Sequence, residues 1–127
     1  MTAASYLWVA VGGALGSVSR YWLAAFVANL TGPQFPWGTW LINVLGSFVI
    51  GWFGAWTGSN GPMDVSADIR LFVMVGICGG FTTFSSFSLQ TLELMQAGEM
   101  FRAGAYIVGS VVVCLLAVWA GVTWGRA

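Results

Sequence analysis

The chain has 127 residues, of which 58% are hydrophobic and only 6% are charged, and its mean hydropathy is +0.85. A water-soluble domain carries about 25% charged residues, so this chain cannot solvate its own surface, and a soluble enzyme is excluded. The net charge of zero also excludes a nucleic-acid-binding protein, which needs clustered basic residues to contact phosphates. The composition indicates an integral membrane protein.

Four apolar stretches separated by turn-forming residues predict an all-α membrane protein with four transmembrane helices in one domain, residues 1–127. A spanning helix uses about 20 residues, and lipid forces the helical form because it offers the backbone no hydrogen-bond partners. The arginines divide evenly between the two sides, so the positive-inside rule gives no orientation. Short loops predict that consecutive helices are antiparallel neighbours. The predicted spans are roughly residues 5–28, 38–57, 70–95 and 102–124.

The third stretch predicts a helix that is broken in mid-span. The pair Gly79-Gly80 weakens the helix, and a run rich in Thr and Ser follows it, with Gln90 near its end. A break exposes carbonyls that attract a cation and N–H groups that attract an anion. The alternative is a kinked helix that packs tightly through Gly76 and Gly80, with its hydroxyls bonded to their own backbone.

Polar side chains at helical spacing on two other spans are candidates for lining an ion pathway. A ladder of donors could replace the hydration shell of a moving anion, and the same pattern also fits an interhelical hydrogen-bonding seam. The second span carries Thr39, Asn43 and Ser47, and the fourth carries Tyr106, Ser110 and Cys114.

Two further features bear on an anion pathway. Phe84 and Phe87 lie three residues apart on one helical face, where their electropositive ring edges could contact a small anion, although such residues also serve as lipid or core contacts. Arg20 lies well along the first span, where it either raises the anion concentration at a pore mouth or reaches the lipid headgroups. Glu93, near the end of the third span, is the only acid within a predicted span.

Three segments resemble the motifs of the Fluc (CrcB-type) fluoride channels, in the same order along the chain. They are GGALGSVSRY (residues 12–21), GTWLINVLGS (38–47) and GGFTTFSSFS (79–88), and the resemblance covers the whole chain. It implies an antiparallel dual-topology homodimer in a bacterial plasma (inner) membrane, whose two pores export toxic fluoride passively. Its expected partners are fluoride, a second copy of the chain and the lipid bilayer. Neither nucleic acid nor enzymatic activity is expected.

The resemblance also implies roles for individual residues. A structural Na⁺ at the centre of the dimer would be held by the backbone carbonyls of Gly79 and Thr82 of both subunits, and Arg20 would lie in the vestibule. The fluoride pore would be lined by Asn43, Phe84, Phe87, Tyr106 and Ser110, to which the polar stripe of the second span adds Thr39. The next position of the fourth-span polar track is Cys114, where a thiol, a weaker donor, departs from the family's hydroxyl.

Two other functions are compatible with a small four-span protein. A small multidrug-resistance transporter would need a membrane-buried carboxylate in its first helix, and this chain has none there. A non-transporting membrane subunit would use its polar stripes to bind a partner, and it predicts no ion flux from the purified protein.

Overall fold

The computed structural model describes residues 1–127, and every regular element in it is helical. Helix α1 comprises Ala3–Thr31, α2 comprises Trp37–Trp56, α4 comprises Phe84–Gln96 and α5 comprises Met100–Arg126. Helix α3 covers residues 67–81 and changes its winding along its length. It begins as an α-helix over Ala67–Arg70, continues as a π-helix over Leu71–Cys78, and ends as an α-helix over Gly79–Phe81.

Three helical segments are long and apolar enough to cross a membrane: Trp37–Trp56, Ala67–Gln96 and Met100–Arg126. The second of these segments joins α3 to α4. Helix α1 has 29 residues, which is also sufficient length, but its glycines, serines and Arg20 make it less apolar. The prediction of an all-helical, multi-pass membrane protein is therefore confirmed, while the count of four spans stays a prediction.

The main helix contacts join elements that are not consecutive in the chain. Helix α1 packs chiefly along α3, and α2 packs chiefly along α5, while the consecutive helices α1 and α2 also touch but less extensively. Glycines at the crossings explain the pairing, because they allow the backbones to touch. A Cβ added to Gly12 would lie 2.9 Å from the Cα of Gly76, and one added to Gly121 would lie 2.8 Å from the nitrogen of Trp52.

Arg70 joins the beginning of α3 to the end of α2. Its Nη1 donates to the carbonyl of Gly54 at 3.2 Å and to the hydroxyl of Thr57. The buried Thr57 hydroxyl donates in turn to the carbonyl of Phe53 at 2.6 Å. A cation beside the last carbonyls of a helix is stabilising, so this contact fixes the connection across residues 57–66.

Candidate functional site

The helical path from α3 to α4 is interrupted at Thr82 and Thr83, whose backbones are extended (φ −81°, ψ 156° and φ −151°, ψ 113°). Gly79 keeps helical angles (φ −64°, ψ −37°). The break therefore lies just beyond the pair Gly79-Gly80 and not within it. Its position is set by Thr83, whose hydroxyl caps α4 by accepting a bond from the nitrogen of Ser86 at 3.1 Å, a common role for Thr at a helix start.

Asn43, on α2, holds the break through two hydrogen bonds to one residue. Its Nδ2 donates to the carbonyl of Thr83 at 3.0 Å, and its Oδ1 accepts from the nitrogen of Thr83 at 2.8 Å. The amide thus satisfies both backbone groups that the extended conformation removes from the helical ladder. An Asn amide group carries two N–H bonds, so one of them remains available to a ligand.

The carbonyls of Gly79 and Thr82 lose the donors that a continuous helix would give them. The N–H of Thr83 would bond to Gly79 but bonds to Asn43 instead, and the N–H of Ser86 would bond to Thr82 but bonds to the Thr83 hydroxyl. Gly79 is also exposed on the surface of the single chain. Unwound backbone carbonyls of this kind coordinate Na⁺ in membrane proteins, so the groups at the break fit a small monovalent cation.

A cavity of about 410 Å³ lies beside the break, between residues of α2, α3, α4 and α5. The ring centroids of Phe84 and Phe87 are 5.4 Å apart, and Phe84 is 77% exposed in the single chain. The hydroxyl of Ser110 is buried and has no hydrogen-bond partner. Six of the residues predicted for the pore or the cation line this cavity: Asn43, Gly79, Thr82, Phe84, Phe87 and Ser110. Cys114 lines it as well.

Tyr106 and Thr39, the other two predicted pore residues, do not line this cavity. Tyr106 is fully buried, and its hydroxyl donates to Oε1 of Gln90 at 2.8 Å. Its ring centroid is 5.0 Å from that of Phe87. No role was predicted for Gln90 from the sequence. The signal that could have singled it out was an amide within an apolar span, since such a group needs a partner.

Thr39 is buried and lines a second, larger cavity of about 700 Å³, located where α1 and α4 end and α2 and α5 begin. Gln90 and Glu93 line this cavity too, together with the exposed ion pair between Glu99 and Arg102 (3.9 Å). Tyr106 follows Arg102 by one helical turn and precedes Ser110 by one turn. Its buried side chain therefore lies between the two cavities.

Arg20 lines neither of these cavities. Its Nε donates to the carbonyl of Gly80 at 3.0 Å, and its side chain is partly buried. This partner is neither of the two surroundings predicted for Arg20, a pore mouth or the lipid headgroups, but the backbone of α3. This contact could not be read from the sequence because it depends on how α1 is rotated against α3.

Comparison with known proteins gives a consistent result over nearly the whole chain. Residues 7–122 match the family described as "CrcB-like protein, Camphor Resistance (CrcB)". A protein of Methylocella silvestris is 64% identical over 116 residues, which cover 91% of this chain and 88% of that protein. A protein of Opitutus terrae is 58% identical with the same coverage, and one of Rhodospirillum rubrum is 56% identical over 117 residues, 92% of this chain and 91% of that protein. All three are named "Fluoride-specific ion channel FluC".

Proposed function

The chain belongs to the family of CrcB-like proteins, and on that basis we propose that it is a fluoride-selective ion channel that lets toxic fluoride leave the cell passively across a bacterial plasma membrane. The observation that carries this proposal is the close similarity to proteins named as fluoride-specific channels. It is a transport function and not an enzymatic one. The site beside the helix break supplies its physical basis.

Fluoride is small and holds its water strongly, so its dehydration must be compensated by hydrogen-bond donors in the protein. The cavity beside the break offers the unpartnered hydroxyl of Ser110 and the remaining N–H of Asn43. The edges of Phe84 and Phe87 add weakly electropositive contacts. A narrow path with these donors favours fluoride over the larger chloride ion, because filters select by size as well as by field strength.

The functional unit of this proposal is an antiparallel dual-topology homodimer with two pores, in which each chain contributes four spans including α1. Two features of the single chain support this assembly. Phe84 is 77% exposed, and Gly79, whose carbonyl lacks its helical donor, is an exposed residue. A backbone group of this kind is costly in lipid unless it is covered or bonded, and a second copy would cover it.

The central cation of this assembly would be Na⁺, held by the carbonyls of Gly79 and Thr82 from both copies. When bound, the ion would supply positive charge where the free carbonyls at the break of one copy meet those of the other. The chain's own contribution is to keep these carbonyls free of internal donors, which it does by directing the N–H groups of Thr83 and Ser86 elsewhere.

The test is ion efflux from liposomes that contain the purified protein. Fluoride release is followed with a fluoride electrode, chloride release is measured in parallel, and protein-free liposomes give the background. Rapid fluoride release without chloride release is expected. If liposomes that contain folded protein release no fluoride, the channel function is rejected and a non-transporting subunit becomes the better explanation.

A further inference from the structure

Arg20 is the only charged side chain of α1, and its contact differs from those expected for a pore mouth or for the lipid headgroups. A charge within an apolar span is costly, and such residues are commonly paired with other charges or with backbone carbonyls. Here the partner is the carbonyl of Gly80, at 3.0 Å from Nε. Arg20 therefore bonds directly to the last turn of α3, next to the break.

The close contact of α1 with α3 fixes this placement. A Cβ added to Gly16 would lie 2.8 Å from the nitrogen of Phe81, and one added to Gly80 would lie 2.6 Å from the carbonyl oxygen of Gly13. The two backbones thus touch with no side chain between them. Arg20 follows Gly16 by four residues, so it lies on the same face of α1 and reaches Gly80.

The bond from Arg20 replaces one that the break removes. In a continuous α-helix, the N–H of Phe84 would donate to the carbonyl of Gly80, but the extended residues Thr82 and Thr83 intervene. The guanidinium takes this position and forms a charge-assisted bond, which is stronger than a neutral one. Its positive charge also compensates the negative end of the α3 dipole.

We infer that Arg20 is a positioning residue for the cation site at the break, an inference that rests on the proposed function. By bonding to Gly80 it fixes the last turn of α3, so that the carbonyls of Gly79 and Thr82 on either side keep their direction. Arg20 thereby acts on ion flux through the backbone of α3.

Lysine distinguishes this role from that of a charge at a pore mouth. A lysine keeps the positive charge, but it has the Cε methylene where arginine has Nε, so it presents no donor at the position that faces Gly80. If Arg20 attracted anions, Arg20→Lys would conduct almost normally, and the deficit of Arg20→Met would shrink as salt screens the charge. If Arg20 positions the break, both variants are impaired at any ionic strength.

The experiment compares wild type, Arg20→Lys and Arg20→Met, with Arg126→Met as the control for the loss of one exposed arginine at the end of α5. Fluoride efflux is measured at ionic strengths of about 10 mM and about 300 mM. Thermal unfolding in detergent is measured at increasing Na⁺ concentrations, with N-methyl-D-glucamine as the replacement cation that keeps the total cation concentration constant. Both Arg20 variants are expected to lose about tenfold or more in flux at both ionic strengths. Arg20→Lys, which keeps the positive charge beside the cation site, is also expected to need about tenfold more Na⁺ for half-maximal stabilisation. The control is expected to behave like wild type.

Three results would overturn the inference: wild-type flux in Arg20→Lys, a deficit of Arg20→Met that disappears at high ionic strength, or a wild-type protein whose stability does not respond to Na⁺. If Arg20→Met does not fold, Arg20→Lys alone decides. A wild-type protein that conducts no fluoride would reject the proposed function. The Na⁺ dependence of unfolding would still test the role of Arg20, so the two failures can be told apart.

Discussion

The side-chain amide of Asn43 forms with the backbone of Thr83 the pair of hydrogen bonds that an adjacent β-strand would form, one donated to the carbonyl and one accepted from the N–H. Two extended residues in the middle of a membrane helix are tolerated only where their backbone groups find partners. Here a single side chain from α2 provides both partners for Thr83. The conformation at the break therefore depends on the position of α2.

Asn43→Ala should destabilise the protein, because it leaves both backbone groups of Thr83 without partners. The expected loss is about 2 kcal/mol or more, measured as a lower unfolding temperature in detergent. Asn43→Asp keeps the acceptor for the Thr83 N–H but removes the donor and adds a negative charge beside the proposed pathway. Its unfolding temperature should therefore fall less than that of Asn43→Ala, while its fluoride flux should fall strongly. Asn29→Ala, on the exposed side of α1, is the control. Equal stability of Asn43→Ala and this control would contradict the bridging role.

Tyr106 and Gln90 should be energetically coupled, since the Tyr106 hydroxyl donates to the Gln90 amide at 2.8 Å within a largely apolar region. Tyr106→Phe and Gln90→Leu are each expected to cost about 1 kcal/mol, and the double variant should cost clearly less than the sum, with a coupling of about 0.5 kcal/mol or more. A double-mutant cycle based on unfolding temperatures measures this coupling. Strictly additive effects would show that the bond makes no net contribution.

Gly12→Ala should disrupt the contact between α1 and α3. The new methyl group would lie 2.9 Å from the Cα of Gly76, so the helices would have to separate, at an expected cost of about 1–3 kcal/mol. Gly104→Ala is the matched control, because a Cβ at Gly104 meets nothing within 4 Å and Ala favours the helix. Unfolding temperature and size-exclusion profile measure both effects. Similar behaviour of the two variants would argue against tight backbone packing at Gly12.

Ser110→Ala should separate stability from transport. The Ser110 hydroxyl is buried without a partner, so its removal breaks no hydrogen bond and should leave stability unchanged or raise it by about 1 kcal/mol. Fluoride flux should fall, because the cavity loses a donor. Thr123→Val removes an exposed hydroxyl that bonds to its own helix at Trp119 and should leave flux unchanged. Normal flux in Ser110→Ala would exclude this hydroxyl from the pathway.

Phe84→Ile and Phe87→Ile should reduce fluoride flux strongly while leaving assembly intact, because isoleucine keeps the apolar volume but lacks the electropositive ring edge. Flux is compared with the same substitution at Phe101, which is 88% exposed at the beginning of α5. Size-exclusion chromatography verifies assembly. Undiminished flux in well-folded Phe84 and Phe87 variants would remove the aromatic rings from the proposed selectivity.

The sequence predicted the helical class and the presence of the break because both follow from local composition. The glycine pair indicated where a helix is weak, but the break lies at Thr82 and Thr83, where a capping hydroxyl and an amide from α2 stabilise the extended chain. The cap of α4 is a local contact between Thr83 and Ser86, whereas the contribution of Asn43 depends on the approach of another helix. The π-helical winding of Leu71–Cys78 has no counterpart in the pattern of this uniformly apolar segment.

Six of the residues that helical spacing or the family resemblance singled out line one cavity, and their roles in the pore and the cation site stay predictions. The sequence did not predict that Ser110 lines this cavity while Tyr106 does not, because helical spacing places both residues on one face of α5. The bond from Arg20 to Gly80 was equally out of reach. Both depend on the rotation of one helix about its axis relative to its neighbour, which the glycine contacts determine.

In the proposed dimer, the exposure of Gly79, whose carbonyl lacks its helical donor, would also make the channel sensitive to dilution. A chain alone in a bilayer would leave this polar group near acyl chains, and a partner chain would cover it, so native structure and association would be linked in one mass-action equilibrium. At very low protein-to-lipid ratio, part of the population would lose both its partner and its native conformation at the break. The amount of protein per vesicle then determines how many chains are native, as well as how many pores each vesicle contains.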